Sequence, residues 1–521
     1  MKTTFCAAGV GGQPMKRSYK RIIGSRLIVT ALAVLIQLTW LWGLLEFLAP
    51  YALPINIVLT VLAVLFVLYV ASKRDEPAYK ILWLICILAF PLFGAILYLG
   101  FGDKKTSRPL HRRLEKAVAE IGPPKAEADA AHELEQESPH MAQIFHYASR
   151  LSRYPVQRNR DARYYPSGEA MFPVMLRALE QAEKYIYLEY FIISEGKMWQ
   201  SMLTTLVQKA ACGVDVRIIY DDLGSLTTLP PGYAEYLRRR NIKCVSFNPM
   251  RLFLSGTLNN RDHRKILVID GKVAFSGGIN LADEYINHIE KYGYWKDGGF
   301  RLEGPAVQNY VQMFTEFWNA FSKDPLTLPD SCGSCPPEQG DGYVLPYCDS
   351  PANRDAVSNH LYMELLGQAT QYAWFFTPYL MLGDTLLDAF VRAAQRGVDV
   401  RIFVPGVPDK KIAYRMTQSF FRPLLEAGVH IYTYTPGFLH AKACLLDDDI
   451  GMLGTVNLDY RSLFLHFECN ALFYRASLLR DLKQDFEETL PLCKEITQQD
   501  LRKALHSRML DSVLRIISPL C

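Results

Sequence analysis

The fold of this chain follows from the stretch NRDHRKILVID at residues 260–270 and the GGIN that follows at 277–280. A second copy, HAKACLLD at 440–447 with GTVN at 454–457, keeps the same spacing from His to Lys to Asp to Asn. A lone His-x-Lys is usually an ordinary surface pair. Two copies with identical spacing predict a duplicated functional site.

The duplication extends well beyond the motif. GVDVRI occurs at both 213–218 and 397–402, each time some forty to fifty residues before a His-x-Lys. The pattern around each copy predicts helix, strand, helix and strand in the same order, which is typical of parallel crossover units. The predicted helices and strands are 171–182, 185–193, 199–211 and 214–220 in the first copy, and 356–368, 372–376, 385–395 and 397–403 in the second. We therefore expect an α/β fold of two duplicated units packed as a pseudo-dimer.

The residue types of the motif suit phosphate chemistry. His and Lys two residues apart on a strand project to one face, and glycine turns allow close backbone approach. Lysine and asparagine donors bind phosphate oxygens, while an imidazole attacks phosphorus or transfers a proton. Displacement at a phosphodiester needs a nucleophile and a general acid, and two facing motifs would supply both. The residues concerned are His263, Lys265, Asp270, Gly277, Gly278 and Asn280 in the first copy, and His440, Lys442, Asp447, Gly454 and Asn457 in the second.

Two roles stay open from the residues alone. Asp270 and Asp447 are too far along the chain from their own His for spacing to assign them, so each either orients an imidazole or holds a turn. The motif also carries Lys where a second metal ligand would be needed, which argues against a metal site. We expect neither a metal nor another cofactor.

Composition divides the 521-residue chain into several parts. The apolar surplus lies before about residue 102, and a net charge of +4 is too small to indicate nucleic-acid binding. The expected organisation is a membrane-spanning region at 1–101, a charged helical linker at 102–140, a first α/β unit at 141–331, a connecting loop at 332–352, and a second unit with a C-terminal helix at 353–521.

Three uncharged runs, 27–45, 55–71 and 81–101, predict a multi-pass membrane anchor rather than a cleaved signal peptide. The charge rule for orientation gives a conflicting answer, because basic residues flank both the first and the third run. If one of the runs is re-entrant or interfacial, or the third folds as a hairpin at Pro91, the catalytic part lies on the side of the basic amino-terminal tail, the cytoplasmic side.

In these motifs the chain resembles the phospholipase D superfamily, whose His-x-Lys-x4-Asp motif occurs twice, and within it the bacterial cardiolipin synthases. Further stretches that carry the resemblance over nearly the whole chain are YDDLG at 220–224, YWKD at 294–297, TPY at 377–379 and DYRS at 459–462. The resemblance implies metal-independent transfer of a phosphatidyl group between two phosphatidylglycerol molecules, in a bacterial cytoplasmic membrane, through a phosphohistidine.

By the same resemblance, His263 is the expected nucleophile and His440 the general acid and then base. Lys265, Lys442, Asn280 and Asn457 are expected to hold the phosphate, with Glu468 supporting the substrate site. The related synthases often carry Asn at the position of His466, so the contact expected there does not transfer. Alternatives are a hydrolase or a phosphatidylserine synthase with another acceptor, a nuclease, and an inactive membrane scaffold. The sequence leaves the oligomeric state open.

Overall fold

The computed structural model describes residues 32, 35–43, 52–73, 76–102, 108–125, 129–249, 259–329, 340–353, 355–503 and 508–520. The described chain divides into two compact units. One contains the apolar helical residues 52–72, 83–89 and 91–101. The other contains residues 76–82 and all described residues from 102 onward, including both copies of the motif.

The second unit has a mixed α/β fold built on eighteen described strands. In chain order, β1 to β18 are Gln157–Arg158, Asp161–Tyr165, Tyr185–Tyr190, Asp215–Asp221, Lys243–Phe247, Lys265–Ile269, Val273–Gly277, Tyr294–Lys296, Gly299–Glu303, Tyr343–Asp349, Tyr372–Phe376, Asp399–Pro405, His430–Tyr434, Gly437–Leu439, Ala443–Leu446, Ile450–Gly454, Glu468–Tyr474 and Cys493–Ile496.

Helices cover these strands. The described helices of this unit, apart from Pro77–Ala89, which begins in it, are Arg108–Ile121, Ala130–Glu137, Pro139–Ser152, Gly168–Glu180, Lys197–Ala211, Tyr233–Arg238, Val307–Phe321, Val357–Gln368, Asp384–Gln395, Lys411–Ser419, Phe421–Glu426, Tyr460–Phe464, Leu478–Thr489, Gln498–Lys503 and Arg508–Ile517.

The strand order confirms the duplication. The first sheet runs β2-β9-β7-β6-β3-β4-β5, and the second contains β17-β16-β15-β11-β12-β13 in the equivalent order. Within them β3 pairs in parallel with β4, and β11 with β12, as strand–helix–strand crossovers require. The six-residue repeat forms equivalent strands, and its Asp–Arg pair adopts the same contact in both halves: Arg217 bonds Asp215 and Arg401 bonds Asp399.

The predicted connecting loop at 332–352 needs a correction. Residues 332–339 lie outside the described range, but Tyr343–Asp349 forms β10, which pairs antiparallel with β17 along its whole length. Its sequence, YVLPYCD, is rich in the aromatic and β-branched residues of a strand. The Gly- and Pro-rich composition just before it had suggested a loop throughout.

The two halves share one apolar core. Tyr187, Ile266 and Val268 from the first sheet belong to the same buried cluster as Phe375 and Leu445 from the second. The opposite face of the first sheet has a cluster of its own under helix Lys197–Ala211. Because the main core is built from both halves, they pack as the expected pseudo-dimer.

The apolar region differs from the expected three runs. Residues 35–43 are helical, and the rest of the run at 27–45 lies largely outside the described residues. Among the described helices, the segment Leu53–Ser72 is long and apolar enough to cross a membrane. The expected run at 81–101 is divided at Pro91 into helices Pro77–Ala89 and Pro91–Phe101, one of the forms that the sequence left open.

The break comes at Pro91, which lacks an N–H and clashes with the preceding helical turn. The close approach of Gly94 to Cys86 shows that the chain bends sharply there: a Cβ on Gly94 would collide with the carbonyl of Cys86. In a continuous helix, groups eight residues apart would be roughly 12 Å apart. The third apolar run is therefore a bent pair of short helices.

Candidate active site

His263 is held in place by the other half of the molecule. It lies just before β6, and its backbone N–H donates to the carbonyl of Phe467 at 2.8 Å. Its ring Nδ1 lies 2.9 Å from each carboxylate oxygen of Glu468. The second half therefore orients the imidazole of the first.

His440 is held in the reciprocal way. The short strands β14 and β8 pair in parallel across the halves, and the N–H of His440 donates to the carbonyl of Lys296 at 2.6 Å. Its Nδ1 lies 2.7 Å from Oδ2 of Asp297. Each half thus contributes one imidazole and the carboxylate that fixes the imidazole of the other.

Both carboxylates are fully buried and hydrogen-bonded. Thr455 donates its hydroxyl to Glu468 at 2.5 Å, and the N–H of Gly298 donates to Asp297 at 2.8 Å. Since each Nδ1 is engaged by a carboxylate, each ring presents Nε2 for chemistry.

Burial shifts both imidazoles towards the neutral form. Desolvation lowers the pKa of His263 well below its usual value, and the nearby Lys265 and Lys442 ammonium groups and His440 lower it further. Desolvation and Lys442 bring the pKa of His440 to about 4, although Asp297 opposes the shift. Burial alone would raise the pKa of Asp297, but the adjacent imidazole of His440 outweighs it and the pKa is lowered. Both rings are thus neutral before an anion enters, with Asp297 ready to stabilise an imidazolium.

The motif lysines give the site its positive charge. Lys265 donates to the carbonyl of His263 at 2.7 Å, and Lys442 donates in the same way to the carbonyl of His440. Burial lowers the pKa of Lys265 to about 8 and that of Lys442 to about 7. The negative charge of a phosphodiester would favour their ammonium forms, so the pair suits an anionic ligand.

The motif aspartates lie away from the imidazoles. Asp270 accepts three backbone N–H groups, those of residues 183–185, at 2.7 to 2.8 Å. Asp447 accepts the backbone N–H groups of residues 370–372 at 2.7 to 2.9 Å. Each carboxylate holds the start of the neighbouring strand, at the sheet edge opposite its His. Asp270 and Asp447 were expected among the catalytic groups, and their contacts correct that expectation. Of the two roles that spacing left open, orienting an imidazole or holding a turn, the contacts favour holding a turn.

The expected phosphate-binding asparagines are also engaged within their own halves. Asn280 accepts from the N–H of Ile192 at 3.1 Å and donates to the hydroxyl of Tyr285 at 2.7 Å. Asn457 donates to Asp459 at 3.1 Å. Both amides are buried, so they fix the loops that follow β7 and β16. Glu468, expected on the substrate side, is instead the partner of His263.

The motif glycines allow close packing between strands and halves. A Cβ on Gly278 would collide with the carboxylate of Asp297 and lie 3.1 Å from the carbonyl oxygen of His440. Gly277, at φ +139°, packs on Gly299, and Gly454 packs on Asn470. The glycines are therefore required for assembling the two His–carboxylate pairs.

Aromatic rings surround both imidazoles. The ring of Phe191 lies 5.0 Å from that of His263, and those of Trp295, Tyr285 and Phe438 lie 5.3 to 5.7 Å from that of His440. Such walls exclude water and accommodate apolar substrate groups.

A group of possible metal ligands lies beside His263. Ligand atoms of His263, His466 and Glu468 lie within 4.8 Å of one another. However, Glu468 already bonds His263, and Lys265 and Lys442 place positive charge at the same point. The donor set therefore fits an anion better than a divalent cation.

A buried arginine anchors the loop that carries His263, and sequence reasoning missed it. Arg264 lies between Glu189, at 2.5 Å, and Asp262, at 3.1 Å, and its guanidinium stacks 3.9 Å above the ring of Phe317. Asp297 was also missed as the partner of His440. A signal existed: a carboxylate follows each motif His by about thirty residues, Asp297 after His263 and Glu468 after His440.

Two α/β halves that share one site with two carboxylate-bound imidazoles define a protein of the phospholipase D type. The chain belongs to the family whose model is described as "Cardiolipin synthase, PLD-like domain", which matches residues 175–318 and 362–490. A second model, "Phospholipase_D-nuclease N-terminal", matches residues 58–102.

Individual proteins agree with this membership. The chain is 35% identical over 470 residues to a cardiolipin synthase of Geobacillus sp., covering 88% of this chain and 92% of the relative. It is 41% identical over 456 residues to an uncharacterised protein of Streptococcus mutans, covering 87% and 99%. The crystal structure of phosphatidylserine synthase from Haemophilus influenzae superposes with a TM-score of 0.55 at 15% identity, over 73% of this chain and all of that one, and supports the fold.

Proposed function

We propose that the protein is a cardiolipin synthase, a phosphatidyltransferase that converts two phosphatidylglycerol molecules into cardiolipin and glycerol. The observation that carries the proposal is the reciprocal pairing of His263 with Glu468 and of His440 with Asp297 across the two halves. The similarity to cardiolipin synthases over most of the chain supports phosphatidylglycerol, rather than water or serine, as the acceptor of the phosphatidyl group.

In the first half-reaction, Nε2 of neutral His263 attacks phosphorus, and an N–P bond replaces the P–O bond to glycerol. Binding of the anionic phosphodiester favours uptake of a proton from solvent by His440, and Asp297 stabilises the imidazolium. This imidazolium then gives its Nε2 proton to the departing glycerol oxygen and becomes neutral. The assignment of nucleophile and acid between the two His follows the family. Glu468 orients the attacking ring and stabilises the positive charge that it gains.

In the second half-reaction, a hydroxyl of another phosphatidylglycerol attacks the phosphohistidine. His440, now neutral, accepts the hydroxyl proton, and the N–P bond breaks to release cardiolipin and restore His263. Lys265 and Lys442 bind the phosphate oxygens in both steps. The aromatic walls favour the lipid alcohol over water as the acceptor.

We also propose that the protein is embedded in the bacterial cytoplasmic membrane through its apolar amino-terminal helices as a multi-pass protein. The apolar helix Leu53–Ser72 supports this, as does the match of residues 58–102 to an amino-terminal family model. The bend at Pro91 favours a re-entrant third segment, which keeps the catalytic part on the cytoplasmic side together with the basic amino-terminal tail.

Product analysis tests the proposal. Purified protein in a chelator, given phosphatidylglycerol labelled in the terminal glycerol, should release one glycerol for each cardiolipin formed. His263→Asn should abolish both products, whereas His288→Asn, at an exposed surface His, should leave them unchanged. Phosphatidic acid as the main product would indicate a hydrolase instead, and loss of activity in the chelator would contradict metal-free catalysis.

A further inference from the structure

The C-terminal helix Arg508–Ile517 buries a charged residue on the side where Leu514 and Ile517 pack against the core. Its acidic residue, Asp511, is buried and pairs with Arg415 of helix Lys411–Ser419 at 2.9 Å. A surface helix in water normally turns its charged residues outward.

The outward face of this helix is apolar. Met509 is 79% exposed, Leu510 and Val513 are each 46% exposed, and Ile516 is 37% exposed. Ile412, on the helix against which it packs, is 70% exposed. These five residues form one surface, which we call the C-terminal apolar surface. Large exposed apolar surfaces of this kind mark contact with a membrane or a partner.

Charge beside the surface favours a membrane as the occupant. Lys410 and Lys411 are exposed next to Ile412. Apolar side chains flanked by lysines are typical of helices that lie in the bilayer interface and attract anionic headgroups. Phosphatidylglycerol, the proposed substrate, is itself anionic.

The position of the surface in the fold points the same way. The turn Ser518–Leu520, which follows this helix, packs on helix Tyr460–Phe464. Glu76 lies close to the same helix, since its carboxylate adds to the effect of burial in raising the pKa of Tyr460. Glu76 directly precedes helix Pro77–Ala89, and the apolar helix that could cross a membrane ends four residues earlier, at Ser72. The C-terminal turn and Glu76 therefore both lie at helix Tyr460–Phe464.

The surface also borders the active-site edge of the second sheet. Helix Lys411–Ser419 follows the end of β12, and β12 ends at the same edge as β11. At that edge β11 pairs with the start of β15, three residues after His440. A bilayer that contacts the C-terminal apolar surface would thus face the edge where a lipid substrate must enter.

We propose that helix Arg508–Ile517 and Ile412 dock into the headgroup region of an anionic bilayer and hold the active-site edge against it. This inference rests on the membrane attachment and lipid substrate proposed above. It adds an interfacial contact made by the catalytic unit itself, distinct from the apolar amino-terminal helices.

Photocrosslinking tests the contact on the full chain. Benzoylphenylalanine replaces Val513, and in a control protein it replaces Glu183, an exposed residue beside Asp270 at the opposite edge of the first sheet. Both proteins are irradiated in vesicles of phosphatidylglycerol and phosphatidylethanolamine. Val513→benzoylphenylalanine should give lipid adducts by mass spectrometry, and Glu183→benzoylphenylalanine should give none. Crosslinks between two copies of the chain, or no lipid adduct at position 513, would overturn the proposal.

A charge substitution supplies a functional measurement. Val513→Asp should raise the apparent KM for phosphatidylglycerol in vesicles by about tenfold, because a carboxylate is expelled from the interface. Its kcat in detergent micelles, which diffuse to the site, should match that of the unmodified protein and show that the variant folds. An unchanged KM in vesicles would overturn the docking proposal. Absence of cardiolipin from every variant and from the unmodified protein would instead contradict the proposed function.

Discussion

At the residue scale, two buried aspartates of the first half have different roles: one positions a catalytic ring, and the other supports the structure. Asp297 bonds the ring of His440, whereas Asp270 bonds three backbone N–H groups at the far edge of the sheet. Both belong to stretches that resemble the family, and only their contacts distinguish them. Substituting each by its amide provides a matched pair of experiments.

We expect Asp297→Asn to lower kcat by about 10²-fold or more, because an amide leaves the His440 imidazolium without a compensating charge. Asp270→Asn should keep most of kcat and lower the melting temperature, since it weakens three hydrogen bonds that hold β3. Steady-state kinetics and thermal unfolding check both variants. Equal losses of kcat in the two variants with unchanged melting temperatures would contradict the distinction.

The pKa shifts predict a bell-shaped pH dependence of kcat/KM. His263 attacks as the neutral ring, and its pKa is lowered below 6.5, so activity should hold down to pH values under 6.5 before it falls. On the basic side, Lys442 and Lys265 lose charge as the pH rises past their pKa values of about 7 and about 8, which weakens phosphate binding.

The variant Lys442→Arg separates the effect of Lys442 on the basic limb from that of Lys265, because a guanidinium keeps its charge at every accessible pH. The basic limb of this variant should move to higher pH, whatever its absolute rate. A profile that stays flat from mildly acidic to mildly basic pH in the unmodified protein would refute the assignment.

Residue-level prediction succeeded where a pattern was repeated and failed where a contact joined distant segments. The doubled motif located both His–Lys pairs, which the structure brings into one site. Sequence spacing could not show that Asp297 reaches His440 or that Glu468 reaches His263, because each pair lies on opposite halves. The buried anchor at Arg264 was missed for the same reason, since Glu189 lies on another strand.

At the element scale, close contacts between strands assemble the site. Gly278 ends the turn after β7 and lies against the carboxylate of Asp297. Gly367, on helix Val357–Gln368, has open space where a Cβ would be added. The two glycines therefore respond differently to the same substitution.

Gly278→Ala should push Asp297 away from His440 and lower kcat to a degree similar to Asp297→Asn. Gly367→Ala should leave kcat unchanged and stabilise the protein by roughly 0.5 to 1 kcal/mol, since alanine favours helix. Kinetics and thermal unfolding of the two variants provide the measurement. Full activity in Gly278→Ala would show that the contact is not needed.

Element prediction was accurate for the repeated units, because their apolar and β-branched patterns are strong. The strand Tyr372–Phe376 has the predicted bounds. The strand Tyr343–Asp349 was missed because its pairing with β17 is long-range and a Gly- and Pro-rich stretch precedes it. The bend at Pro91 was among the possibilities that the sequence left open.

At the scale of the whole molecule, two halves make one site. Neither half contains a complete His–carboxylate pair, and the main core contains residues of both. The duplication was readable from the sequence, but the reciprocal exchange of carboxylates depends on how the halves pack. Because each half supplies one imidazole to this composite site, we propose that one imidazole carries the phosphatidyl group while the other transfers the proton.

The most direct test of this division of roles is to trap the covalent intermediate. The protein turns over phosphorus-labelled phosphatidylglycerol in the presence of a chelator. The reaction is then quenched rapidly under denaturing alkaline conditions, which preserve phosphohistidine. Mass spectrometry then locates the adduct. We expect a phosphatidyl or phosphoryl adduct on His263, none on His440, and its transfer to cardiolipin on a chase with unlabelled lipid. Cardiolipin formation with no adduct on either imidazole would contradict the account.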